Sequence, residues 1–209
     1  MTEYLVNNWM DVLGTALGLL YLYLELKENI LMWITGAIMP VVYTVVLYRA
    51  GLYADCGMEF YYFLAAVYGF WMWSRRRAVD VSSFSGGSRQ GGEDKVFGLA
   101  ISHIPVSVVY VLVPITFGLW FALWAFLNFC TDSNVPVLDA FTTSLSIIGL
   151  WMLSRKYIEQ WWVWLVVDAV SSSLYIYKGI YARAFLYAVY TVIAVYGYYA
   201  WRRRMMKAR

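Results

Sequence analysis

The sequence predicts an all-α membrane protein: seven transmembrane helices, built as two three-helix repeats joined by one helix, with the repeats parallel. Three observations predict it. Hydrophobic residues make up 62% of the 209 and charged residues only 14%, against about 45–50% and about 25% in an ordinary soluble domain. Lys and Arg collect on one side of the apolar stretches. The chain also matches itself at a constant offset. A soluble chain of this size would have to leave much of its apolar surface in water. The composition therefore excludes a soluble enzyme, a disordered chain and a nucleic-acid binder, and a net charge of +3 is no nucleic-acid signal.

A spanning helix needs roughly 20 mostly apolar residues. Seven stretches qualify: 10–26, 30–48, 55–74, 98–127, 138–154, 160–177 and 183–201. None shows the alternation of a barrel strand, and all are too apolar on every side for soluble amphipathic helices. Asp11 opens the first stretch and Asp139 the fifth, where an acid serves as an N-cap. The second contains Pro40, which can kink a helix. The third carries Glu59 in its outer part and ends at Arg75-Arg76-Arg77. Ser82–Lys95, rich in Ser and Gly, predicts a flexible loop. The fourth stretch is long, with room for an interfacial turn around His103–Pro105. The sixth holds Asp168 at its centre.

Thirteen basic residues fall on the side of Lys27, Arg75, Arg155 and the C-terminus; three, Arg49, Lys178 and Arg183, fall on the other. Basic residues mark the cytoplasmic side, so the N-terminus is predicted outside and the C-terminus inside. Met1–Asp11 has no basic residue, so it predicts no secretory signal.

An offset of 128 places Asp11 on Asp139, Thr15 on Thr143, Trp33 on Trp161, Gly51 on Gly179 and Tyr62 on Tyr190. Ala66-Val67-Tyr68-Gly69 falls on Ala194-Val195-Tyr196-Gly197, and Trp73 on Trp201, without a gap. The predicted organisation is one transmembrane domain over 1–209: a first repeat at 11–77, a linker helix at 96–128 and a second repeat at 139–205. One intervening helix gives both triplets the same orientation. Parallel repeats build transporters with the substrate site at the repeat interface near midplane.

Polar groups within spans are costly and point to function. At about 100° per residue, Trp161, Trp164, Asp168, Ser172 and Tyr175 share one face of the sixth stretch. Asp55, Glu59, Tyr62 and Ala66 share a face of the third. A carboxylate flanked by indoles suits a flat cation, through stacking, cation–π attraction and a charge-assisted hydrogen bond. The candidate substrate-binding residues are thus Trp161, Trp164, Asp168, Glu59, Tyr62, Ser172 and Tyr175. At the offset of 128, Asp168 falls on Pro40, so one half supplies a contact where the other supplies a bend. His103 is a lone histidine, so no zinc site is expected. No nucleophile–base pair suggests an enzyme. Cys56 and Cys130 form no disulfide framework, and their pairing is left open. No cofactor is expected.

The block from Arg155 to Asp168, including Trp161-Trp162-Val163-Trp164 and followed by Tyr177-Lys178-Gly179-Ile180-Tyr181, resembles the PnuC family of bacterial vitamin transporters. So do Leu52-Tyr53-Ala54 and Ala66-Val67-Tyr68-Gly69. The most specific element is W-x-x-W-x-x-x-(N/D) at Trp161, Trp164 and Asp168. The resemblance implies a three-plus-one-plus-three order similar to the SWEET sugar transporters. It also implies facilitated diffusion of an unphosphorylated vitamin across the bacterial inner membrane, and trapping by a cytoplasmic kinase that need not touch the transporter. Members carrying nicotinamide riboside tend to have Asn at the position of Asp168 and Gln at that of Glu59. Two carboxylates in place of amides, together with Thr131-Asp132-Ser133-Asn134-Val135-Pro136, resemble the thiamine-linked PnuT branch. Thiamine is therefore the first expectation and nicotinamide riboside the second, with a receptor that binds without transport as a third. Membrane lipid is a further partner, and a homotrimer is one option for the oligomeric state.

Overall fold

A computed structural model describes residues 9–49, 53–84, 100–131 and 135–207. Among them are seven helices: α1 (Trp9–Leu26), α2 (Leu31–Arg49), α3 (Tyr53–Phe84), α4 (Val106–Cys130), α5 (Pro136–Ser154), α6 (Gln160–Tyr177) and α7 (Tyr181–Lys207). The described residues form no strand; an isolated parallel bridge joins Ser102 to Tyr157. Three helical segments among them are long and apolar enough to cross a membrane: Val106–Cys130, Pro136–Ser154 and Arg183–Lys207.

The chain divides into two units, Met1–Leu99 and Ala100–Arg209. In the first, α2 packs against both α1 and α3. In the second, α5 packs against α4 and α6, and α6 against α7. The linker helix α4 therefore belongs with the second triplet. Trp120 of α4 donates its indole N–H to the Val137 carbonyl at 3.0 Å and sets its ring edge-on to Phe141 at 5.3 Å. No residue of α4 is buried.

The turns that end α1 and α5 are built alike. Glu28 and Lys156, both at φ 55, occupy the left-handed region. The N–H of Glu28 donates to the Glu25 carbonyl at 3.0 Å and that of Asn29 to Leu24 at 2.9 Å. In the second unit the N–H of Lys156 donates to Leu153 at 2.9 Å and that of Tyr157 to Met152 at 3.1 Å. This is the pairing that satisfies the last carbonyls of a helix. A left-handed non-glycine residue costs roughly 1–2 kcal/mol, and both turns carry one. Gly179, at φ 73, ends α6 the same way, with the Ile180 N–H on the Tyr175 carbonyl at 2.8 Å.

Four local expectations change. Asp139 is not a cap. Pro136 fits the first turn, where its missing N–H is not needed, so α5 begins three residues before Asp139 with Val135 at the cap position. Asp139 lies in the first turn and pairs with Lys178 at 3.5 Å. The side chain of Asp11 lies outside those described, and α1 already includes Trp9 and Met10. The helix of the third stretch continues past Arg75–Arg77 to Phe84, so Ser82 and Ser83 are helical, while 85–95 lie outside the described residues. At about 1.5 Å per residue, the 32 residues of α3 exceed a hydrocarbon layer of about 30 Å. Finally, α4 begins only at Val106, after the extended Pro105.

The segment before α4 is strapped to the turn after α5. The Ser102 N–H donates to the Lys156 carbonyl at 3.2 Å, and the Ile158 N–H to the Ser102 carbonyl at 3.0 Å. The carboxylate of Glu159 holds His103 Nδ1 at 2.7 Å and accepts the Ile104 N–H at 3.0 Å. His103 is thus an exposed clamp residue.

Candidate functional site

The sequence-predicted residues separate by unit. Trp161, Trp164, Asp168, Ser172 and Tyr175 stand together on α6 of the second unit. Glu59 and Tyr62 stand a turn apart on α3 of the first, both half-buried and both engaged with partners.

Trp161 is a packing residue. Its ring is 2% exposed and meets Trp201 of α7 edge-on, with centroids 5.5 Å apart and planes at 88°. It fits because residue 197 is glycine: a Cβ there would come within 2.6 Å of the ring. The first unit repeats this arrangement at the offset of 128. Trp33 is 2% exposed and meets Trp73 edge-on at 5.7 Å and 87°. A Cβ on Gly69 would fall onto the Trp33 ring. Two helices approach closely where one offers no side chain, and the indole of the other fills the space.

Trp164 packs elsewhere. It lies over Gly149 of α5, where a Cβ would be 3.3 Å from its ring. The indole nitrogens of Trp33, Trp161 and Trp164 are all buried without a hydrogen-bond partner among the described residues.

Asp168 is 7% exposed at the middle of α6 and has no hydrogen-bond or ion-pair partner among the described residues. A lone carboxylate at that depth is costly; a cation, or donors that seat on its oxygens, would offset the cost. The neighbouring helix runs antiparallel. Ser172 sets the register by donating its hydroxyl to the Ala184 carbonyl at 2.8 Å, so this serine is a tie between helices. Together with the Trp161–Trp201 contact, this register brings Asp168 level with the stretch Tyr187–Thr191 of α7. From that level toward the α6–α7 turn, Tyr190 meets Tyr187 at 5.7 Å, Tyr187 meets Tyr175 at 5.2 Å, and the Arg183 guanidinium lies 5.9 Å over the Tyr175 ring. An aromatic column with a cation at one end and a carboxylate at the other can seat a flat, polar, charged molecule.

Pro40 is buried, and α2 runs through it as one helix. Its missing N–H deprives the Gly36 carbonyl of its i+4 donor. Cys130 is free and exposed, and the Cys56 side chain lies outside those described. Among the described residues no group of His, Cys, Asp and Glu could hold a metal.

Reading only the matches at offset 128 misses Tyr21 and Gly149. Tyr21 of α1 packs on Gly36 of α2, where a Cβ would lie 2.9 Å from its ring. Tyr21 and Gly149 share a register, as do Gly36 and Trp164. The first hairpin thus places its aromatic on the first helix, and the second hairpin places its aromatic on the second.

The nicotinamide mononucleotide transporter family model matches residues 8–203. The nicotinamide riboside transporter PnuC of Escherichia coli K12 is 26% identical over 205 residues, covering 93% of this chain and 85% of its own. The riboflavin/roseoflavin transporter RibM of Streptomyces davaonensis is 24% identical over 198 residues, covering 92% and 84%. A crystal structure of the vitamin B3 transporter PnuC superposes with a TM-score of 0.71 at 22% identity, covering 98% of this chain and 85% of that one, which establishes the shared helical fold. With a match across nearly its whole length, this chain belongs to the nicotinamide mononucleotide transporter family of membrane proteins.

Proposed function

We propose that the protein carries an unphosphorylated, positively charged vitamin, and that nicotinamide riboside is its substrate. The observation that carries the charge preference is Asp168, buried in mid-helix without a partner among the described residues. A pyridinium ring can stack on an aromatic wall while the carboxylate balances its charge or accepts a ribose hydroxyl. Thiamine, the first expectation from the two carboxylates, satisfies the same chemistry. The order is reversed here because the relatives named above carry nicotinamide riboside or riboflavin in their names. The carboxylate at position 168 selects for cation over neutral flavin, not for one cation over another.

In this reading Trp164 and Asp168 contact the substrate, with Tyr175 and Arg183 at the approach, while Trp161 and Ser172 hold the helices. Transport is facilitated diffusion across the bacterial inner membrane, with the N-terminus outside, and a cytoplasmic kinase traps the product. Phosphorylated forms are rejected by the repulsion between phosphate and Asp168.

Calorimetric titration of the purified protein with nicotinamide riboside, thiamine and riboflavin tests the reading. Nicotinamide riboside should bind, and Asp168→Ala, which removes both the charge and the acceptor oxygens, should weaken that binding at least tenfold, about 1.4 kcal/mol, with little change in melting temperature. Binding of thiamine alone would restore the first expectation. Binding of riboflavin alone would remove the charge argument.

A further inference from the structure

The second unit carries a groove on a side of α6 that its candidate site does not use. Its volume is about 520 Å³. Val135 and Leu138, at the start of α5, form one wall; Ala169, Ser173 and Tyr177, spaced by four along α6, form the other. These three α6 residues are exposed, and they lie roughly 100–180° around the helix from Asp168. Asp168 shares its own face with Ser172 and Tyr175, which meet α7. The groove is therefore distinct from the aromatic column.

Its walls suit hydrocarbon. Tyr177 stands at the rim, 78% exposed. Deeper in, the hydroxyl of Ser173 is already donated to the Ala169 carbonyl at 2.9 Å. A polar vitamin would give up water there and gain no hydrogen bond in return. An acyl chain gives up nothing, and it supplies the dispersion contacts that the lining otherwise lacks. The depth also fits. Lys178 follows Ala169 by nine residues, about 13 Å at about 1.5 Å per residue. That is close to half of a hydrocarbon layer of about 30 Å, the depth of one leaflet.

The polar end carries both signs. Lys178 follows Tyr177 of one wall and Asp139 follows Leu138 of the other, and Nζ lies 3.5 Å from the Asp139 carboxylate. Each side chain is about a third exposed, so a ligand can open this loose pair at little cost. A purely anionic headgroup would meet Lys178 and be repelled by Asp139. A headgroup with a phosphate and a primary ammonium answers both, the phosphate accepting from Lys178 and the ammonium donating to Asp139.

We infer that this groove is a phosphatidylethanolamine site, with one acyl chain between α5 and α6 and the headgroup on the Lys178–Asp139 pair. It does not depend on which vitamin is carried. Native mass spectrometry of the full chain in detergent, with phosphatidylethanolamine, phosphatidylcholine or phosphatidylglycerol added at equal concentration, tests it. One phosphatidylethanolamine should stay bound per chain, at roughly three times the occupancy of either other lipid, because only its ammonium can donate to Asp139. Ser173→Phe fills the groove and should lower that occupancy roughly fivefold through lost apolar burial. Asp139→Asn leaves the groove open and should abolish the preference over phosphatidylcholine; this variant decides the matter if Ser173→Phe does not fold. Equal retention of the three lipids, retention of none, or unchanged occupancy in Ser173→Phe would overturn the inference. So would loss of an oligomer in Ser173→Phe, which would mean that a second copy covers the groove. Displacement of the bound lipid by nicotinamide riboside would also overturn it, by placing the groove on the vitamin's path.

Discussion

The α1–α2 and α5–α6 hairpins share a turn and differ in what they bury. Both end their first helix on a left-handed non-glycine residue, Glu28 or Lys156, with matching carbonyl bonds. Both then direct a tryptophan, Trp33 or Trp161, into a glycine gap on the last helix of the triplet. One turn of helix further in, they diverge: Tyr21 over Gly36 beside Pro40 in the first, and Trp164 over Gly149 beside Asp168 in the second. What recurs is the framework, and what differs is polar. Close backbone approaches tolerate little change, while the polar groups beside them differ between the hairpins.

The largest expected effect tests the shared framework. Gly69→Ala and Gly197→Ala each place a methyl on an indole that is almost fully buried. Overpacking of this kind costs about 1–3 kcal/mol, occasionally more. Both variants should lower the melting temperature by similar amounts in detergent. A drop in only one would mean the two triplets are not held by the same device.

The next effect should separate the hairpins. Gly→Ala within a helix gains about 0.8–1.0 kcal/mol of propensity. At Gly149 the nearest ring atoms of Trp164 are 3.3 Å away, so a small shift suffices and the substitution should be near neutral. At Gly36 the Tyr21 ring is 2.9 Å away, so the propensity gain should be consumed and the melting temperature should fall. Equal responses would break the claimed swap.

The second hairpin also has a clamp. Glu159 holds both His103 and the Ile104 N–H, tying the start of α4 to the α5–α6 turn. Glu159→Ala should cost about 1 kcal/mol, the scale of a charge-assisted bond to a half-exposed carboxylate. Exchange of the Ile104 amide, followed by mass spectrometry, should accelerate; an unchanged rate would show that the backbone bridge at Ser102 suffices. The smallest effect belongs to the Asp139–Lys178 pair, at 3.5 Å and about a third exposed on each side. Lys178→Ala should change stability by less than about 0.5 kcal/mol.

Much of the fold was legible because apolar runs in a membrane protein are long and uninterrupted. Helix ends agree with the apolar stretches within a few residues at α1, α2, α5 and α6. They disagree at α3, since leaving the apolar layer does not stop a helix: nothing in Arg75–Phe84 breaks it, as no proline or glycine occurs there. The repeat was legible, but its meaning was not. Trp33, Gly69 and Trp73 with their counterparts read as markers of the repeat in one dimension and form a packing contact in three. The buried acid Asp168 was legible because a lone acid in an apolar run is conspicuous. The Tyr21–Gly36 contact was not, because a tyrosine among tyrosines carries no such contrast.

The most direct test is flux. Proteoliposomes containing the wild type should take up labelled nicotinamide riboside to equilibrium and no further, with saturation. Asp168→Ala should reduce the initial rate at sub-saturating substrate at least tenfold while the protein remains folded. Wild-type liposomes no faster than empty ones, or an Asp168→Ala variant as fast as wild type, would contradict a substrate-binding carboxylate at position 168.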